Sequence, residues 1–254
     1  MIATGLFSVP WDDYWVNLLE GLLKTIQFTI AGFVGAIVLG VVLAILRVYG
    51  GRILGAVARV VVEAFKNVPL ITEIFIIYFG LASIGLSLSA FAAGSLALMG
   101  HYGAYLSEIF RSGIQSVDEG QTEAGHALGM SSFSVFRKVL APQAVLVALP
   151  GTGTMLVDLL KGTSLMVSIG GAELMTQGQI ITSATFRALE VYLVIGAIYF
   201  ALCFPLSSLV GRVERRLSLG RPFSLRRHRL LSHAREVLHT ASPLPKVGPN
   251  IEKK

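Results

Sequence analysis

Residues 25–46 contain no charged side chain. As an α-helix rising about 1.5 Å per residue, such a run spans the ~30 Å hydrocarbon layer of a bilayer. It is too long for the apolar core of a signal peptide, and Asp12 and Asp13 stand where such a peptide needs basic residues, so it reads as a retained first span. Further apolar runs cover residues 57–84, 91–110, 139–160 and 189–210. With 54% hydrophobic and 14% charged residues, the chain needs lipid as its solvent. The expected fold is an all-α integral membrane protein of about five transmembrane helices.

Within these runs, Gly32, Gly35 and Gly40 leave small faces where another helix can approach closely. Asn67, Val68 and Pro69 interrupt the second run, and Pro142, Pro150, Gly151 and Gly153 mark the fourth, with broken backbone expected at residues 150–153. The single cysteine, Cys203, lies in the last run and excludes an intrachain disulfide. No Cys/His group has metal-ligand spacing, and no cofactor is called for.

The formal charge of +6 comes from Lys and Arg crowded into short connections and the tail, which suits membrane topology better than a nucleic-acid surface. Arg47, Arg52 and Arg59 follow the first run, and Arg111, Arg137 and Lys138 follow the third. The tail carries Arg212, Arg215, Arg216, Arg221, Arg226, Arg227 and Arg229, whereas residues 85–90 carry no charge. Positive residues stay inside, so the N-terminus is placed outside and the C-terminus in the cytoplasm. Lys161 and Arg187 go against this bias, accompanied by Glu173 and Glu190. Three regions follow: an external segment 1–17, a membrane domain 18–216, and a basic, Pro-rich cytoplasmic tail 217–254 expected to be disordered.

Between the third and fourth runs, Asp118, Glu119 and Gly120 offer a helix start and Gly129 a stop, which predicts a short cytoplasmic helix. Ser131 or Ser132 can cap a second one, with Phe133, Phe136 and Leu140 along one side. Small residues Ala124, Gly125 and Ala127, with Glu123 at the N-terminal end, suit a knob that settles into a groove on a partner. An amphipathic helix resting on its own bundle is the alternative.

Glu123, Ala124 and Gly125, then Gly129, then Val139, Leu140, Ala141 and Pro142 stand in the order and spacing of the EAA motif. The chain therefore resembles the permeases of binding-protein-dependent ABC importers, with Gly125, Val139 and Ala141 as small or apolar departures. Phe65 to Leu70, Ile76 to Leu81, Gly103 to Ile109, Gly113 to Val117 and Leu159 to Leu165 narrow the resemblance to the polar amino-acid branch. Val68 and His101 depart from that pattern and bear on solute preference.

The resemblance implies a permease subunit in a bacterial inner membrane, paired with a second copy or a related permease. It also implies two ATP-binding ABC subunits docked on the coupling helix of Glu123, Ala124, Gly125, Ala127, Leu128 and Gly129, and an external solute-binding protein delivering an amino acid. ATP-driven closure of the ATPases would rock the bundles between outward and inward states. No G-x-x-x-x-G-K-[ST] phosphate loop occurs, so hydrolysis falls to the partner chains and the chain is read as a non-enzyme.

Ionisable groups at membrane depth cost several kcal/mol unless paired or wetted. Glu73, His101 and Asp158 are therefore candidates for the solute path, together with Lys161 near Asp158, Tyr102 beside His101, and Thr152 and Thr154 at the expected break. Glu73 lies one turn beyond the Pro69 interruption, where freed carbonyls and a carboxylate can surround a cationic group. A hydrogen bond to a neighbouring helix is the alternative for Glu73 and His101, and an ion pair with Lys161 the alternative for Asp158. Glu108 is expected to bond Arg111 and takes no solute role. The competing function is a secondary transporter or channel in which Glu73 or Asp158 carries a coupling proton. An intramembrane enzyme lacks an H-E-x-x-H or G-x-S-x-G motif.

Overall fold

A computed structural model of the chain describes residues 9–219. They form helices α1 (Trp11–Tyr49), α2 (Gly51–Lys66), α3 (Leu70–Ser83), α4 (Ala90–Gln115), α5 (Glu119–Ala127), α6 (Ser132–Ile169), α7 (Leu174–Thr185) and α8 (Ala188–Leu219). The packed body runs to Val213, and most of the 217–254 tail lies outside the described residues. Helix α1 begins within the 1–17 segment.

By length and composition, Trp11–Tyr49, Ser132–Ile169 and Ala188–Leu217 are each able to cross a membrane. The chain is thus an all-α, multi-pass membrane protein with several long apolar helices. Leu23, Ile30, Val34 and Val38 of α1 and Leu189, Leu193, Phe200 and Phe204 of α8 are all exposed, as a lipid-facing surface requires.

The glycine-bearing face of α1 fits α4 closely. A Cβ added at Gly32 would lie 2.8 Å from Leu98 Cβ, and one at Gly40 would lie 2.9 Å from Leu106 Cβ. The two helices run in the same direction, because Gly32 meets Leu98 while Arg47 meets Glu108. Helix α2 reverses the chain at Gly51, whose φ of +67° suits glycine, and packs Ala58 and Val62 against Leu43 and Ala104. The main core joins α1, α3, α4 and α6 through Phe28, Ile74, Leu98, Leu159 and Met166. A smaller one joins α7 and α8 through Leu174, Ile181, Val191 and Ile195.

Of the two expected helix breaks, one is found and one needs correction. The interruption at 67–69 divides residues 57–84 into two separate helices where proline alone favours a kink, since Asn67 closes α2 and Pro69 is extended (φ −60°, ψ 136°) before α3. The Asn67 side-chain amide donates to the Glu63 carbonyl at 2.8 Å and to Glu63 Oε2 at 3.0 Å, stopping α2 before the proline. By contrast, residues 150–153 are not broken, and the α-helix runs from Ala141 to Gly162 through Pro150. One missing N–H is tolerated there, and Thr152 adds a bond by donating its hydroxyl to the Ala148 carbonyl at 2.9 Å. The irregular stretches of α6 sit instead at Phe136–Leu140, a π turn just before Pro142, and at Thr163–Ile169, a 3-10 segment at its end.

Candidate functional site

The α5 helix is built by local signals. Asp118 caps it, its Oδ1 accepting the Gly120 N–H at 2.8 Å. At the other end the Met130 N–H donates to the Gly125 carbonyl at 3.1 Å, and Gly129 takes φ +76°, a backbone that glycine adopts without strain. Ser131 caps the next turn, accepting the Ser134 N–H at 3.3 Å.

Glu123, Ala124, Ala127, Leu128 and Gly129 are exposed, with Leu128 at 82% and neighbouring Phe133 at 71%. Gly125 alone is buried, and a Cβ there would stand 2.8 Å from Val135 Cγ2. The motif's departure at this position thus makes room for the chain's own next helix. The remaining surface leaves a carboxylate, small residues and the large apolar side chains of Leu128 and Phe133 exposed.

The candidate path residues separate into two groups. Glu73 is 5% exposed and its Oε1 lies 3.0 Å from His101 Nδ1. Its Oε2 is buried and meets no hydrogen-bond donor among the described residues. His101 stacks edge-on against Tyr102 at 5.2 Å, and Tyr102 donates its hydroxyl to the Asp158 carbonyl at 2.9 Å. This chain of contacts joins α3, α4 and the end of α6 where Leu70, Tyr102 and Gly162 converge.

Asp158 and Lys161 form an ion pair at 3.4 Å, both side chains about half exposed (47% and 58%). Exposed pairs of this kind contribute about 0–1 kcal/mol. Thr154 donates to the Pro150 carbonyl at 3.3 Å and is itself exposed, between partly buried neighbours. Thr152 lines a separate apolar groove between α1, α4 and α6.

Two polar networks escape sequence reasoning. Glu108 bonds not only Arg111 (2.9 Å) but also Arg47 of α1 at 2.8 Å and Lys66 of α2 at 3.7 Å. Glu173, fully buried, caps α7 by accepting the N–H groups of Met175 (2.7 Å) and Thr176 (2.8 Å), and accepts the Tyr199 hydroxyl at 3.0 Å. Its place just before Leu174 is the only local signal, and glutamate is an uncommon cap.

Residues 36–219 match the family of binding-protein-dependent transport system inner membrane components. The chain is 35% identical over 214 residues to the glutamine transport system permease protein GlnP of Escherichia coli strain K12, covering 82% of this chain and 98% of that protein. To the L-cystine transport system permease protein TcyB of Bacillus subtilis strain 168 it is 34% identical over 215 residues, covering 83% of this chain and 92% of the other. Among solved structures, an amino acid ABC transporter with histidines superposes with TM-score 0.75 at 35% identity, covering 81% of this chain and 96% of that one. The MetNI methionine ABC transporter in an inward-facing form shares the fold with TM-score 0.63 at 21% identity. The chain belongs to the binding-protein-dependent transport system inner membrane components and is a multi-pass permease subunit of an ABC importer, a transport protein rather than an enzyme.

Proposed function

We propose that this permease carries an amino acid with a free ammonium or other cationic group across the bacterial inner membrane. Its relatives are named for glutamine and L-cystine transport. Two ATP-binding subunits dock on Glu123–Gly129 from the cytoplasm, an external binding protein delivers the solute, and a second copy or related permease completes the path. In this reading the chain crosses the bilayer about five times. The 1–17 segment lies outside, 18–216 is the membrane domain and the tail is cytoplasmic, following the Lys/Arg bias.

The observation that supports this reading most directly is the exposed, well-capped α5 helix, which leaves Glu123, Leu128 and the small residues facing outward in a chain without a nucleotide loop. For the solute, Glu73 offers a buried oxygen with no donor at the junction of α3, α4 and α6. Asp158 and Lys161 offer exposed charges of both signs, as a zwitterion requires. Tyr102 links the two through the Asp158 backbone.

Replacing Glu73 by Gln and Asp158 by Asn keeps shape and removes charge. Uptake of amino acids and solute-stimulated ATP hydrolysis should fall in both variants while co-purification with the ATPase persists. Wild-type uptake across an amino-acid panel in both assembled variants would make these residues structural and remove the preference for cationic groups.

A further inference from the structure

Between α1, α4 and α6 lies a groove of about 430 Å³, walled by Ile37, Val41, Phe110, Val145 and Leu149 among others. Thr152 is its one hydroxyl-bearing residue, and that hydroxyl donates to the Ala148 carbonyl. A polar guest therefore finds nothing to bond, whereas an apolar one loses nothing. The walls at Val41 and Ile45 on α1 and Val145 and Leu149 on α6 are exposed, as are Val34, Val38 and Leu146 nearby, so the groove opens onto an exposed apolar surface.

One end of the groove is formed by Phe136, whose ring meets Tyr49 edge-on at 5.9 Å. Directly after it come Arg137 and Lys138, both exposed and without an ion-pair partner among the described residues. An apolar slot lined by Phe136, with two exposed cations next along the same turn of α6, matches the build of an acidic phospholipid, which carries a hydrocarbon chain beneath a phosphate. A free anion has no chain to fill the slot, and a zwitterionic lipid brings its own cation toward Arg137 and Lys138.

We infer that the groove between α1 and α6 seats one acyl chain of an acidic phospholipid whose headgroup phosphate rests on Arg137 and Lys138. In the orientation proposed above the lipid belongs to the inner leaflet, but the contact itself does not depend on that orientation. Because α6 carries both the groove wall and the turn that leads from α5, the lipid sits against the segment joining the docking helix to the bundle.

The test is native mass spectrometry of the assembled permease–ATPase complex in mild detergent, with phosphatidylglycerol, phosphatidylcholine or inorganic phosphate added. The wild type should hold phosphatidylglycerol about 30-fold more tightly than phosphatidylcholine, as two basic groups near a headgroup imply. Arg137→Gln with Lys138→Gln should erase that preference. Val145→Trp and Val41→Trp, each adding bulk from an exposed wall position, should lower retention of both lipids while the complex stays assembled. Equal retention in wild type and both tryptophan variants would overturn the inference. So would displacement of the lipid by inorganic phosphate, which would make the basic pair a simple anion site. If the tryptophan variants separate paired permeases and leave lipid retention unchanged, the groove holds another chain and the inference fails.

Discussion

Glu73 shows what a residue's local sequence hides. Its depth and its place after Pro69 are readable from the chain, but its partner His101 lies 28 positions away on another helix. Which oxygen that partner takes depends on how α3 packs against α4. Leaving a buried hydrogen-bonding group without its partner costs about 1–3 kcal/mol, and more when the group is charged. His101→Ala should therefore lower the thermal midpoint of the purified complex markedly, and Glu73→Ala with His101→Ala should recover part of the loss. A single variant as stable as wild type would mean that the pair is dispensable.

Gly40 is the opposite case, legible in advance because a small residue on an apolar helix marks close approach. A valine there meets Leu106 Cβ, the Gly103 carbonyl and the Ser107 N–H side of α4 within about 3 Å. Overpacking of this kind costs about 1–3 kcal/mol. Gly40→Val should destabilise the bundle by that amount in a denaturation series, whereas the same change at exposed Gly196, where nothing lies within 4 Å, should do so far less.

At the scale of elements, the short α5 helix was legible because every signal that builds it is local: Asp118 as cap, Gly129 as stop, Ser131 as the next cap. Gly129→Val forces a β-branched residue to φ +76°, at a cost of about 1–2 kcal/mol. Such a variant should weaken ATPase binding by distorting α5, and Glu123→Lys should weaken it without changing the fold. Co-purification with the ATPase, alongside circular dichroism of the isolated permease, separates the two; full association of the Glu123→Lys variant would refute the docking face.

The second apolar run was only half legible. Hydropathy cannot distinguish a kinked helix from two helices, and the Asn67 side chain decides by capping α2 before Pro69. Pro150 misleads in the other direction, because proline inside a membrane helix is as compatible with continuity as with a break. Glu108 was read as a local partner of Arg111, whereas the parallel packing of α1 and α4 brings Arg47 onto it as well. That register is a property of the assembled bundle.

For the whole molecule, the orientation we propose from the charge bias has residues 85–90 outside and α5 inside. In a Cys203→Ser background, a cysteine at Ser87 should react with an impermeant thiol reagent in intact cells, and one at Gln121 should react only after the membrane is opened. The reverse pattern would invert the topology and remove α5 from the cytoplasm. The central claim is that this permease moves an amino acid by coupling, through the Glu123 helix, to ATP hydrolysed on separate subunits. Its most direct test is uptake by vesicles containing the permease, its ATPase and its binding protein, with ATP enclosed on the ATPase side. Amino-acid uptake should require ATP, survive collapse of the proton gradient and be lost with Glu123→Lys; uptake that persists without ATP and stops when the proton gradient collapses would rule out coupling to ATP.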